Sequence, residues 1–237
     1  MKLSIIIPSY NEKDTIEELV GKVIAVDVSK FGLEKEIVIV DDSTDETREI
    51  LKKYISNQEE NRRWIKIIFR KKEKKQGKGS AIREGLKHIT GDIVIIQDAD
   101  LEYDPSDYPQ LLEPILNGKA KVVYGSRILG GGKKSYWSFY LGGRLLSFLA
   151  NLLYDARITD EPTGYKVFRT DVIKNINLKC ERFEFCPEVT AKVRKKGYRI
   201  YEVPIHYAPR SIKEGKKINW RDGLEAIWTL IKYRFVD

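Results

Sequence analysis

The chain has 237 residues, with 43 Lys plus Arg against 35 Asp plus Glu, a formal net charge of +8. Hydrophobic residues make up 42% and charged residues 33%, which argues against a disordered tail or a collagen-like chain and suits a globular protein with a core of its own. Two cysteines, Cys180 and Cys186, without CxxC spacing, argue against a disulfide framework or a zinc ribbon and are read as a reduced, cytoplasmic pair. The positive charge predicts an anionic partner: nucleic acid, a phosphorylated substrate or an acidic membrane surface.

The apolar run 3–7 reads as a strand buried on both faces and stops at Pro8. It is too short for the apolar core of a secretory leader, and no stretch approaches the ~18 apolar residues of a spanning helix. No membrane crossing is therefore predicted. Helical spacing of Ile16, Leu19, Val20, Val23 and Ile24 predicts a helix over 11–26. A second strand is predicted at 36–40, a helix at 44–54, a strand at 65–69, a helix at 79–89, and strands at 92–97 and 122–124. This alternation predicts an α/β fold with a mainly parallel sheet flanked by helices. After the Gly130-Gly131-Gly132 joint come an aromatic and apolar segment, 135–154, and a polar turn-rich segment with a short strand, 159–169. A helix at 187–196, a strand at 199–204 and a helix at 220–235 close the chain. No linker marks a boundary, so one domain is expected, with 1–125 and 126–237 as its two halves.

In parallel sheets, ligands bind beyond the carboxyl ends of the strands, and the polar clusters fall there. Asp98 and Asp100 follow the strand at 92–97; they read either as hard oxygen ligands for Mg²⁺ or Mn²⁺ or as a solvated acidic turn. Pro8, Tyr10, Asn11 and Glu12 follow the first strand, where a base or ribose can rest on Tyr10, or Asn11 can cap the next helix. Asp41 and Asp42 follow the second strand; an acid there can accept a base N–H or ribose hydroxyl, with Ser43 or Thr44 capping as the other reading. Gly77, Lys78 and Gly79 permit close backbone approach with Lys78 meeting a phosphate, although the spacing is not a Walker A. His88 and His206 have no ligand-like spacing and read as structural or surface residues.

The blocks IIIPSYNE (5–12), VIVDDSTDET (38–47), KGSAIREGL (78–86) and GDIVIIQDADLEYDP (91–105) occur in this order. Together they resemble family 2 glycosyltransferases of the GT-A fold, a Rossmann-like nucleotide-sugar transferase fold. VVYGSRILGGG (122–132), DEPTGYKVFR (160–169) and GYRIYEVPIHYAPRSIKEGKKI (197–218) are similar to dolichyl-phosphate mannose and glucose synthases. The resemblance implies nucleotide contacts at Pro8, Tyr10, Glu12 and Asp42, with Asp41 beside them. It implies that Asp98 and Asp100 bind metal and the donor diphosphate, with Glu102 as a third metal ligand. Arg127 is implied as the acceptor-phosphate ligand, joined by Arg144 and Ser147. Arg210, with Ser211 and Lys213, is implied as a loop closing on the donor phosphates. Asp160 is carried over as a base or an acceptor-orienting group.

The implied reaction is inverting transfer of a hexose from GDP-mannose or UDP-glucose to dolichyl or polyprenyl phosphate, assisted by Mg²⁺ or Mn²⁺. A soluble glycan or protein hydroxyl is the alternative acceptor, with Asp160 as its base. Segments 135–154 and 220–235, flanked by Lys133, Lys134 and Arg144, read as interfacial helices or as core helices. Where relatives carry spanning helices beyond this region, this sequence predicts peripheral attachment at the cytoplasmic membrane face. The run 70–75 reads as a solvated basic loop. Acidic strand ends oppose a nucleic-acid partner.

Overall fold

The computed structural model describes residues 1–56, 64–70, 77–132, 136–210 and 217–236. Ser211, Lys213, Lys133, Lys134 and most of the basic run after Arg70 lie outside the described residues.

Branched apolar runs build the sheet: β1 (Lys2–Ser9), β2 (Glu34–Asp41), β3 (Ile65–Phe69), β4 (Ile93–Ile96), β5 (Val122–Ser126), β6 (Lys166–Arg169) and β7 (Ile200–Pro204). Their spatial order is β3-β2-β1-β4-β6-β5-β7. β1 pairs in parallel with β2 and β4, β2 with β3, and β5 with β7. β6 is antiparallel to both neighbours, β4 and β5. The sheet is therefore mainly parallel, as expected, with one reversed strand that hydrophobic runs do not reveal.

Alternate side chains of each strand enter opposite layers. Ile6, Val38, Val94 and Ile96 pack into one core with α3 (Lys78–Gly85), α6 (Trp137–Tyr154), α8 (Phe185–Lys195) and α9 (Trp220–Phe235). Leu3, Ile5, Ile7, Ile37 and Ile93 pack on the other face with α1 (Ile16–Ala25) and α4 (Tyr108–Leu116). The helix α2 (Thr47–Ser56) lies against α1, and two short helices, α5 (Arg127–Gly130) and α7 (Thr170–Lys174), follow β5 and β6. All the C-terminal ends of β1, β2, β4 and β5 open onto one rim, because these strands share a direction.

Two local departures from the sequence pattern have physical causes. The first helix begins at Ile16, and Asn11 adopts φ 51°, so it does not cap that helix. Its side-chain oxygen instead accepts from the Thr44 amide at 2.7 Å, and its own amide donates to Ser43 Oγ at 2.8 Å, tying the first two strand-end loops together. The helix α4 has no strong sequence signal because Pro109 and Pro114 interrupt its pattern, yet a proline in the first helical turn forfeits no intrahelical bond.

Asp107 at the start of α4 accepts from the backbone and ring of His206 after β7, both at 2.7 Å. This contact raises the His206 pKa above its ordinary value of 6.5. Its contribution to stability is complete below the unfolded value of ~6.5 and is lost as pH rises through the higher folded value. NMR titration of His206 is expected to give a midpoint above the unfolded value, and Asp107→Asn is expected to bring it back down.

Candidate active site

The geometry starts at the exit of β4. Gln97 is fully buried; its carbonyl oxygen accepts from the Tyr108 and Tyr165 hydroxyls at 2.9 and 2.8 Å, and its amide donates to the Asp98 carbonyl at 3.1 Å. The chain thus leaves the sheet in one orientation. Lys78 Nζ lies 2.5 Å from Asp98, and Arg210 Nη2 donates to Asp100 at 2.7 Å. Burial, then the neighbouring charge of Asp98, raises the Asp100 carboxyl above its ordinary range, against the pull of Arg210. Burial opposes the charge of Arg210 and Lys78, but the carboxylates around each outweigh it and raise both pKa values.

Glu102 does not complete a three-carboxylate metal cluster; none occurs among the described residues. Its two oxygens accept from the Tyr207 hydroxyl and the Arg210 amide, both at 2.9 Å, so it secures the chain around Arg210. The remaining donor set, Asp98 and Asp100, still fits a hard divalent cation. Both are acidic oxygen donors at a buried strand end, and Lys78 and Arg210 now supply the positive charge they require.

Beside β1, Tyr10 is 48% exposed and Pro8 and Tyr10 line the same cleft as Asp98 and Asp100. Glu12 accepts from Arg210 at 3.0 Å and from Lys217 at 2.6 Å, so one carboxylate holds cations from both sides of 211–216. Asp42 also faces the cleft and pairs through both oxygens with Arg70, one contact being 2.7 Å. Asp41 does not reach the cleft: it is fully buried, accepts from Ser43 at 2.6 Å and pairs with Arg48 at 3.3 Å, which makes it part of the loop's support.

The glycines around Lys78 serve an unexpected neighbour. The amides of Gly79 and Ser80 donate to the carbonyls of Arg182 and Glu181 at 2.9 and 3.0 Å. A Cβ on Gly77 or Gly79 would come within 3.0 Å of that segment. The close approach is thus between backbones, and those helix-start amides are already used; Lys78 lines the cleft together with Gly77 and Ala81.

At the β5 exit, Arg127 Nε and Nη2 each donate to Asp160 at 2.7 Å, and the Arg127 amide adds a bond of 2.9 Å. Burial would raise the Asp160 carboxyl, but Arg127 outweighs it and holds the pKa below the ordinary value. Glu202 on β7 fixes this pair from behind by accepting from the amides of Thr159 and Asp160 at 2.7 and 3.0 Å. Arg144 reaches the Thr159 carbonyl at 3.0 Å and lines the cleft. Ser147 is buried, donates to the Gly143 carbonyl and accepts from the Glu161 amide, each at 2.9 Å, so its hydroxyl belongs to the support of the 159–164 segment.

These groups share a cleft of about 1710 Å³. Tyr10, Asp98 and Arg127 line it, with apolar walls given by Phe139, Leu145, Leu224 and Ile227 of α6 and α9. Outside the cleft, Trp137, Leu141, Phe148 and Leu152 of α6 and Trp228 and Phe235 of α9 are exposed. Several contributors escape the sequence reading: Lys217, Glu202, Tyr103 and Tyr207 act through partners far away along the chain. Ser9 is a further one; its buried hydroxyl lines the cleft and has no partner among the described residues.

Gly164 shows how tightly the site is built. A Cβ there would collide with an Asp98 carboxylate oxygen and stand 2.8 Å from the Tyr103 ring. Gly164→Ala is expected to lower unfolding free energy by about 1–3 kcal/mol in urea titration. Gly21→Ala, in the exposed interior of α1 with nothing within 4 Å of the new methyl, is expected to raise it by about 0.5–1 kcal/mol.

Comparison with known proteins agrees with this geometry. The family model Glycosyl transferase family 2 matches residues 4–176. The chain is 34% identical over 221 residues to the Dolichol-phosphate mannosyltransferase of Pyrococcus furiosus, covering 91% of this chain and 59% of that one. It is 32% identical over 216 residues to the Undecaprenyl-phosphate 4-deoxy-4-formamido-L-arabinose transferase of Edwardsiella ictaluri, covering 90% and 62%. It is 29% identical over 240 residues to the Low-salt glycan biosynthesis hexosyltransferase Agl6 of Haloferax volcanii, covering 99% and 53%. The chain thus spans between 53% and 62% of the length of these relatives. Glucosyl-3-phosphoglycerate synthase from Mycobacterium tuberculosis, solved with Mn²⁺, UDP and glucosyl-3-phosphoglycerate, superimposes with TM-score 0.69 at 18% identity, covering 100% of this chain and 81% of that one. That likeness concerns the fold, which is GT-A. The strand-end blocks, the mainly parallel sheet and the family match agree, and the chain belongs to glycosyl transferase family 2.

Proposed function

We propose that the protein transfers a hexose from a nucleoside diphosphate sugar, GDP-mannose or UDP-glucose, to dolichyl or polyprenyl phosphate with inversion. The carrying observation is that one continuous cleft holds largely buried carboxylates and cations, Arg127, and apolar walls from α6 and α9. Two of the similar proteins carry dolichol-phosphate or undecaprenyl-phosphate in their names, which supports this acceptor class.

The donor nucleotide lies along Pro8, Tyr10 and Asp42, with its diphosphate toward Asp98 and Asp100. Asp98 and Asp100 would hold Mg²⁺ or Mn²⁺, which when bound neutralises charge on the leaving diphosphate. The fold neighbour solved with Mn²⁺ or with Mg²⁺ supports that choice of ion. Lys78, Arg210 and Lys217 exchange their carboxylate partners for phosphate oxygens and offset the charge that develops there. Lys213 joins them in this proposal.

Arg127 spends Nε–H and one Nη2–H on Asp160, which leaves three guanidinium hydrogens for the acceptor phosphate. An acceptor phosphate oxygen attacks the anomeric carbon. The bond from that carbon to the donor diphosphate breaks, and its electron pair leaves with the nucleoside diphosphate. No proton has to move, because the nucleophile is already an anion. This suits Asp160, which Arg127 keeps ionised and engaged and which is a weak base in consequence. The same point weighs against a hydroxyl acceptor.

No described helix is long and apolar enough to cross a membrane. The exposed apolar faces of α6 and α9 belong to the same helices that give the cleft its apolar walls, and they suit contact with a bilayer, on its cytoplasmic face, that presents the lipid phosphate. Carboxylates at the strand ends make a nucleic-acid partner unfavourable.

Incubation with labelled nucleotide sugars, polyprenyl phosphate and Mg²⁺ or Mn²⁺ is expected to give labelled lipid; label passing to a soluble glycan alone would refute the proposal. Asp98→Ala and Asp100→Ala are each expected to lower turnover more than about a hundredfold. Arg127→Ala is expected to raise KM for the lipid phosphate about ten- to a hundredfold, with donor affinity nearly unchanged. Replacing Trp137 and Trp228 by Ala together is expected to weaken liposome flotation about tenfold or more. Unchanged flotation would remove these faces as the membrane contact.

A further inference from the structure

Tyr103 follows the two aspartates on the same loop, is 4% exposed and lines the cleft. Its ring is held on two sides, with centroids 4.9 Å from Tyr165 and 5.4 Å from Tyr207, and its backbone bridges that of Tyr207. The hydroxyl oxygen accepts from the Gly164 amide at 2.8 Å. That bond uses a lone pair and leaves the O–H proton without an acceptor among the described residues. A buried hydroxyl proton without a partner is costly, and a ligand oxygen in the cleft relieves that cost.

The hydroxyl stands between the two ends of the site. Gly164, which binds it, also abuts the Asp98 carboxylate. Asp160, four positions before Gly164, grips Arg127, and the Arg127 guanidinium lies 5.0 Å from the Tyr207 ring on which Tyr103 packs. Burial, above all, pushes the Tyr103 hydroxyl far above its ordinary pKa, so it stays protonated and acts as a neutral donor. In a direct displacement, the group lying between the leaving diphosphate and the incoming phosphate is the sugar.

We propose that the Tyr103 hydroxyl donates a hydrogen bond to a hydroxyl of the hexose in the bound nucleoside diphosphate sugar and so contributes to sugar selection. This rests on the function proposed above. A hydrogen bond of fixed direction discriminates epimers because a hydroxyl turned the other way leaves the donor unpaired.

Tyr103→Phe keeps the ring between Tyr165 and Tyr207 and removes the hydroxyl. Calorimetric titration with Mg²⁺ present compares wild type and variant for GDP-mannose, UDP-glucose, GDP and UDP. Affinity for the preferred nucleotide hexose is expected to fall about five- to tenfold, while affinity for its parent diphosphate changes less than about twofold. Equal weakening of both ligands would assign Tyr103 a structural role and overturn the proposal, as would no change in either. Wild-type protein that binds neither diphosphates nor nucleotide sugars would overturn the proposed function and this inference together, a result visible before the variant is made.

Discussion

Carboxylates buried at the ends of parallel strands need positive charge close by, and this need organises the site. Glu12, Asp98, Asp100 and Glu102 come from two strand ends that the sheet brings together, and all lie largely out of solvent. Lys78, Arg210 and Lys217 answer them from two distant parts of the chain. In a medium of low polarity such pairs are strong only when each charge keeps a partner. A ligand that brings phosphates and a cation can exchange partners with the whole set while every charge stays compensated. The resting ion pairs and the proposed donor complex are two solutions to the same electrostatic problem.

A second, uncharged network makes that exchange accurate. Gln97, Tyr108 and Tyr165 fix where the chain leaves β4, and Gly164 joins Tyr103 to the edge of Asp98. Glu202 fixes Asp160, and Asp160 fixes Arg127. The two halves of the site therefore rest on one scaffold, with β6 placed between β4, which carries Asp98 and Asp100 at its exit, and β5, which carries Arg127. The antiparallel insertion of β6 has a structural consequence: it delivers Asp160 and Gly164 to the middle of a rim otherwise built from parallel strands.

The basic character of the chain acquires a more specific meaning in three dimensions. Among the described residues, Lys78, Arg127, Arg210 and Lys217 in the cleft are each paired with an acid. The apolar faces of α6 and α9 were readable as aromatic segments, yet one-dimensional spacing could not divide them into buried and exposed residues. Tertiary packing does: Leu146, Ala150 and Leu230 enter the core, while Trp137, Phe148 and Trp228 stay outside.

By itself the sequence determined the strands, the strand-end position of Asp98, Asp100, Tyr10 and Arg127, and the family, because buried parallel strands and their polar termini leave continuous local patterns. It determined the three long helices of the second half nearly as well, but not the short α5 and α7. Tertiary structure alone decided the reversed β6, the withdrawal of Asp41 and Ser147 into supporting roles, and the use of Glu102 to hold the chain at Arg210. It also decided that the glycines flanking Lys78 meet the backbone at 181–182, and that Tyr103 has a hydroxyl proton without an acceptor among the described residues. Each of these depends on which distant group arrives beside a residue. Hydrogen bonds and ion pairs are set by separation in space, and local sequence spacing carries no record of it.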